Sequence, residues 1–332
     1  TKIVVKLNDD AKEFSKEETI KSIIKRYSSY IQYPVNVNGE KLNTVQAIWT
    51  RSKSEITEEE YKEFYKFQGN AWDEPRFWLH FSSDAPLDIN ALLFVPTENP
   101  EKFGFAHAEH DVALFCKKVL IDSHPQGLLP EWMRFVRGVV DSADLPLNIS
   151  RESMQDSSII RKLSKVLTRR FLKLLAEKDK KDPDTFRDFY KNFSQYLKEG
   201  VISDASNRED IAKLLRYESS RTEKGQQTSL ADYVSRMSTD QKDIYYLFGS
   251  SRESIQSGPY LEAFESRGLE VLFVTDPIDE FVMSHLSEFD GKKLVSADRQ
   301  DIDLPEAPEG EGDSLSREEG EALSRWIKEQ LG

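Results

Sequence analysis

The spacing of apolar residues changes twice along this 332-residue chain, and those two changes limit the folds open to it. Residues 77–81, 91–95 and 114–121 are short, dense, aromatic-rich apolar runs bounded by Asp, Pro, Asn and Ser, which is the pattern of buried strands. From Ile160 the series Leu163, Leu167, Phe171 and Leu174 instead advances in steps of three and four, one stripe of a long amphipathic helix. Phe186, Phe189, Tyr190, Phe193, Tyr196 and Leu197 continue at helical spacing, followed by Ile211, Leu214 and Leu215. Near residue 243 the dense runs return. Ile244-Tyr245-Tyr246-Leu247-Phe248 reads as a strand, Gly249-Ser250-Ser251 as a turn, the next residues as a helix ending at Gly268, and 269–275 as a second strand. Asp276 and Pro277 then read as N-cap and first residue of another helix. A strand-helix-strand unit of this kind pairs its strands in parallel.

These changes predict a mixed α/β chain in four parts: a large α+β unit over 1–180, a helical connector over 181–237 without strands, a small αβα unit over 238–303, and an acidic linker with one helix over 304–332. In the first part Thr57 and Glu60 form a capping box, and Tyr61, Phe64 and Tyr65 follow at helical spacing. Residues 222–228 read as an exposed loop. Residues 301–313 contain six acids and no base, broken by Pro305, Pro308, Gly310 and Gly312, the composition of a linker. Ser316 with Glu319 opens the last helix, whose Leu323, Trp326, Ile327 and Leu331 form a stripe with nothing after it to cover it. The chain opens on Thr1 with Ile3 to Leu7 reading as a strand already under way, so both ends read as cut from something longer.

Length alone points to two or three packed units of ~100–150 residues each. With 46 basic against 59 acidic residues and a net charge of −13, nucleic acid and anionic membrane surfaces are excluded as main partners, since either needs a dominant basic face. Cys116 is the single cysteine, so no disulfide forms within the chain and a reducing compartment, the cytoplasm, is expected. No apolar run approaches the ~20 residues of a membrane span.

Few residues offer chemistry. His107, His110, Asp111, Cys116 and His124 lack the compact spacing of metal ligands, so no metal site is expected, and His80 reads as a core or edge histidine. Gly249-Ser250-Ser251 lacks both phosphate-loop spacings and reads as a tight turn. No Gly-x-Ser-x-Gly elbow is present. Arg161, Lys162, Lys165, Arg169, Arg170 and Lys173 stand without an acid between 157 and 175, a cationic face suited to an acidic partner or neighbouring domain.

The most informative stretch is Leu145-Pro146-Leu147-Asn148-Ile149-Ser150-Arg151-Glu152-Ser153-Met154-Gln155. Asn148 or Ser150 is a credible N-cap, which puts Arg151 in a first helical turn, where a cation opposes the helix dipole by ~0.3–1 kcal/mol. Arg151 and Gln155 share one helix face at an N-terminus, an arrangement that suits a phosphate. A surface pairing of Arg151 with Glu152 or another acid accounts for the same residues. Trp49, Phe281 and Met283 are large apolar groups beside polar ones, either core or adaptable contact surface.

The 145–152 stretch resembles the signature of the heat shock protein 90 family of ATP-dependent chaperones. So do Leu129-Pro130-Glu131-Trp132, the stretch Phe135-Val136-Arg137-Gly138-Val139-Val140-Asp141-Ser142, Ala212-Lys213-Leu214-Leu215-Arg216-Tyr217 and Thr275-Asp276-Pro277-Ile278-Asp279-Glu280. The likeness runs from Thr1 to about residue 300 and is to the bacterial, high-temperature protein G type. It implies the middle domain of a homodimeric chaperone whose ATP-binding domain precedes it and whose dimerisation domain follows. ATP and Mg2+ would serve the full-length protein, with neither held tightly by this segment and no hydrolysis by it alone. The resemblance further implies that Arg151, helped by Gln155, reaches the γ-phosphate of ATP held by the N-terminal domain, and that Trp49, Phe281 and Met283 contribute surface for unfolded client proteins. Residues 96–105 resemble the family's catalytic-loop region. A non-catalytic adaptor, with Arg151 in a surface ion pair, is the other function open at this point.

Overall fold

The computed structural model describes residues 1–31, 33–43, 46–69, 71–102, 107–145, 157–299, 302, 304 and 317–331. It divides into two compact units, Thr1–Leu215 and Arg216–Gly332. Both are mixed α/β, as the sequence predicts.

The first unit opens with α1 (Glu17–Tyr27) and a small antiparallel hairpin, β1 (Asn36–Val37) and β2 (Glu40–Lys41). α2 (Glu58–Gln68) starts at the predicted capping box: Thr57 Oγ1 accepts from the Glu60 amide at 3.2 Å, and Glu60 Oε2 accepts from the Thr57 amide at 2.8 Å. Five strands follow, β3 (Pro75–Ser83), β4 (Ile89–Pro96), β5 (Asp111–Cys116), β6 (Val119–Asp122) and β7 (Arg137–Asp141), in the order β3-β4-β7-β5-β6. β7 is antiparallel to β4 and parallel to β5. Gly138 crosses β4 with φ +138°, where a Cβ would strike the Leu92 carbonyl, so this central position accepts only glycine.

The single run predicted over 114–121 is two strands. The chain reverses at Lys117 and Lys118, whose φ of 50° and 65° are both left-handed. Such a turn normally carries Asn or Gly, and without either the reversal is invisible in the sequence.

One face of this sheet is covered by α2 and the segment around Trp49, which bury Tyr30, Trp49, Tyr61, Phe64 and Tyr65 against Leu92, Phe94, Ala113, Phe115 and Val139. The other face carries α3 (Ser157–Lys181) and α4 (Pro183–Ser203), followed by α5 (Arg208–Ala212). The stripe predicted from Ile160 is the buried face of α3, with Leu163, Leu167 and Phe171 fully covered, each worth roughly 1.5–3 kcal/mol of transfer free energy. Phe135 joins Phe171, Phe189, Phe193 and Tyr196 at ring separations of 4.9–6.0 Å. Ile3, Val4 and Val5, expected in a strand, pair with nothing among the described residues and stand exposed.

The second unit is built on a six-stranded sheet of order β12-β13-β10-β11-β8-β9. Its strands are β8 (Arg216–Ser219), β9 (Thr228–Ser229), β10 (Ile244–Phe248), β11 (Val271–Val274), β12 (Glu288–Phe289) and β13 (Lys292–Ser296). β10 and β11 are parallel as predicted, and β13 lies parallel on the other side of β10. The helix between β10 and β11 is two, α7 (Arg252–Gln256) and α8 (Pro259–Glu265), broken at Gly258-Pro259; α6 (Leu230–Arg236) precedes them and α9 (Ile278–Leu286) follows Pro277.

β8 and β9 correct the strand-free reading of 181–237. β8 carries Tyr217 between Arg216 and Glu218, with no apolar run to mark it, and it is a strand because β11 pairs with it. Its buried Ser219 hydroxyl donates to Glu270 Oε1 at 2.6 Å, and Arg236 pairs with the same carboxylate. α10 (Arg317–Leu331) exposes Leu323, Trp326 and Ile327. Among the described residues no helix is long and apolar enough to cross a membrane.

Candidate functional site

The Arg151 stretch joins β7 to α3. Arg151 and Gln155 themselves lie outside the described residues, and the site is built here from what flanks them. β5 and β7 are parallel, so their carboxyl ends fall on one edge of the sheet, the edge where ligand loops gather in folds with parallel strands. From that edge the chain passes through Ser142, whose amide donates to the Phe115 carbonyl at 3.1 Å, and Asp144, whose carboxylate accepts from the Asp88 amide at 2.8 Å, to the buried Leu145. Asp141, at the end of β7, is buried; its Oδ2 accepts from Trp49 Nε1 at 3.1 Å and from the Lys118 amide at 2.9 Å.

At the opposite edge of the sheet, by the amino ends of β5 and β7, the segment after β4 is held by carboxylates. Asp73 Oδ2 accepts from the Thr97 and Glu98 amides at 3.1 and 3.3 Å. Arg134 is buried between two carboxylates: its Nε and Nη2 donate to Glu101 at 2.8 and 2.9 Å, it also pairs with Glu199, and its guanidinium lies 4.5 Å from the centre of the Tyr196 ring. The guanidinium holds the Glu101 carboxyl far below its ordinary value, at about 2. Residues 103–106, within the loop that resembles the family's catalytic-loop region, are outside the described residues.

The histidines go to structure. His107 and His110 both donate to Glu131, at 2.8 and 3.1 Å. Among the described residues no group of three or more His, Cys, Asp or Glu is placed to hold a metal. His80 donates from Nε2 to the Trp49 carbonyl at 3.1 Å and accepts at Nδ1 from the Tyr61 hydroxyl at 2.7 Å, and burial lowers its pKa. Gly249 makes a tight turn into α7, against Ile255. The six bases of α3 from Arg161 to Lys173 are all exposed.

Two of the three residues expected to present contact surface do not. Trp49 is 0% exposed, its ring 4.7 Å from Tyr30 and 5.1 Å from Phe115, and Met283 on α9 is 3% exposed. Each lies where its element packs inward, and an apolar side chain there is core. Phe281, two residues from Met283 and thus on another face of α9, is 59% exposed. Sequence reading missed Trp72, which is 84% exposed, and Phe67, 59% exposed, in the first unit. The signal was available: Trp72 stands in Gly69-Asn70-Ala71-Trp72-Asp73-Glu74-Pro75, a turn-forming stretch with no apolar partner at helix or strand spacing.

A family profile described as Hsp90 protein matches residues 35–332. The chain is 52% identical over 334 residues to the chaperone protein HtpG of Desulfitobacterium hafniense (strain Y51), covering 100% of this chain and 54% of that protein. It is 41% identical over 342 residues to heat shock protein 75 kDa, mitochondrial, of Rattus norvegicus, covering 100% and 48%. To the TNF receptor-associated protein 1 homolog, mitochondrial, of Dictyostelium discoideum it is 41% identical over 332 residues, covering 98% and 47%. The chain thus spans about half the length of the curated relatives it matches.

Proposed function

The chain belongs to the heat shock protein 90 family of chaperones, and from that premise we propose that it is the middle segment of an ATP-dependent chaperone, which completes a neighbouring domain's ATPase and presents surface to unfolded proteins. The observation that carries the first half is the Arg151 and Gln155 motif, which begins in sequence ten residues after the carboxyl end of β7. In the full-length protein ATP and Mg2+ are bound by the preceding domain. Arg151 approaches the γ-phosphate and balances the charge that grows as its bond breaks, and Gln155 adds an amide hydrogen bond. The protein acts as a homodimer held through a following domain, in the cytoplasm, for which the lone buried Cys116 is the argument within the chain itself.

Client surface is assigned to the exposed aromatics Trp72, with Phe67 beside it in sequence, and Phe281. Trp72→Ala and Phe281→Ala are each expected to weaken binding of this chain to an unfolded polypeptide by about 5-fold or more, read by fluorescence anisotropy. The melting temperature should stay within about 2 °C, because both side chains stand in solvent. Unchanged affinity in both variants would remove these patches from the client site.

The reading as a whole is tested by the activity of this chain alone. It is expected to bind unfolded polypeptide and to hydrolyse no ATP. Turnover comparable to that of a full-length family chaperone would overturn it, since the nucleotide pocket would then have to lie within these residues.

A further inference from the structure

Trp49 uses every part of its side chain, and only one part needs a tryptophan. Its ring fills the core between Tyr30, Phe64 and Phe115, which a phenylalanine would also do. The indole N–H has one partner, Asp141 Oδ2, at 3.1 Å. That carboxylate is buried and costs free energy to desolvate, so it must be held by donors, and Trp49 and the Lys118 amide are the donors placed on it. Trp49 is itself fixed from behind, because His80 holds its carbonyl and Tyr61 of α2 holds His80.

The same carboxylate spans three pieces of chain. Asp141 is the last residue of β7, Lys118 is the second left-handed residue of the turn between β5 and β6, and Trp49 sits in the turn Ile48–Thr50 on the sheet's α2 face. Asp141 therefore locks the carboxyl ends of the two parallel strands to each other and to the layer above. It does so ten residues before Arg151 in sequence, at the point where the chain leaves the sheet. The Ser142 amide on Phe115 and the Asp144 carboxylate on the Asp88 amide continue the anchorage outward.

We infer that Trp49 and Asp141 are positioning residues for the ATP reaction, fixing through their buried hydrogen bond the strand end that precedes Arg151 by ten residues in sequence, and that Trp49 takes no direct part in client contact. The inference rests on the role proposed above for Arg151. A charge contact that matters only in the transition state is sensitive to small displacements, and loosening its base lowers the chemical rate while leaving the affinity for ATP alone.

The test uses the full-length protein. Trp49→Phe, which keeps the ring and deletes the donor, is expected to lower kcat for ATP by about 10-fold with KM and the affinity for unfolded polypeptide unchanged. Asp141→Ala should do the same and, in addition, speed hydrogen exchange at the Lys118 amide. On an Arg151→Ala background neither change should lower turnover further, because the group being positioned is gone. A kcat equal to that of the parent protein, or a further 10-fold loss on the Arg151→Ala background, would overturn the inference. A selective loss of polypeptide affinity in Trp49→Phe would return that residue to the client site. If instead Arg151→Ala itself leaves turnover intact, it is the proposed role of the arginine that fails. Should Trp49→Phe melt more than about 5 °C low, Asp141→Ala, which leaves the indole in place and removes its acceptor, carries the same measurements.

Discussion

Arg151→Ala in the full-length protein is expected to lower ATP turnover by about 100-fold or more while ATP binding stays nearly unchanged. On the proposed function, binding of the nucleotide is the work of a neighbouring domain, so this arginine should add little to the ground state. Charge on the transferring phosphoryl group spreads over its oxygens as the bond breaks, and a guanidinium already oriented toward them is worth several kcal/mol at that moment alone. Arg151→Lys should recover little, because a point charge does not reproduce the planar fork that spans two oxygens. Single-turnover kinetics with an independent nucleotide-binding measurement decide the matter. An equal loss of affinity and rate would make Arg151 a ground-state ligand, and no loss of either would leave it in a surface ion pair, as in an adaptor. The exposed cations of α3 begin at Arg161, ten residues after it in sequence, and none of them is expected to substitute.

The second large effect is on stability. Arg134 is buried with Glu101 and Glu199 against it, so Arg134→Met removes the guanidinium from between two carboxylates. Breaking a buried pair from one side costs about 3 kcal/mol, and in a unit of this size the melting temperature of the isolated chain should fall by roughly 6–12 °C. The Glu101 carboxyl gives the effect a pH signature. Its pKa is about 2 in the folded chain against an ordinary 4.5, so as pH falls the unfolded chain takes up the proton first. The stability it contributes, about 2 kcal/mol after allowance for solvent screening, is whole above about pH 5 and lost between 4.5 and 2. Glu101→Gln should therefore be less stable than the parent at neutral pH and converge with it near the acid limit. Parallel stability curves for the two proteins across that range would refute the assignment.

Much of this architecture was legible because the residues that carry it obey simple periods. The stripe from Ile160 is buried along α3, Thr57 and Glu60 cap α2, and β10 and β11 pair in parallel. What escaped was set by partners distant in sequence. Nothing local marks Arg216 to Ser219 as a strand, since β11 makes it one from more than fifty residues away, and nothing local marks the reversal at Lys117-Lys118. The site divides in the same way. Arg151 stands out because its motif reads as a helix start, where a cation is unfavourable, whereas Trp49 and Trp72 are both aromatic residues among polar neighbours. Only the fold, by burying the first and exposing the second, separates their roles.

The place of β7 in its sheet also sets the order in which this chain can be made. β4 and β5 each need β7 as their second neighbour, and β7 is the last of the five strands in sequence. As the polypeptide leaves the ribosome, the hairpins β3-β4 and β5-β6 can form, but each presents an open edge until residue 141 has emerged. No shorter nascent chain can close the sheet, and the strand that closes it is the one that ends ten residues before Arg151. A truncation before residue 137 is left with two unpaired strand edges, a ready template for pairing with another chain.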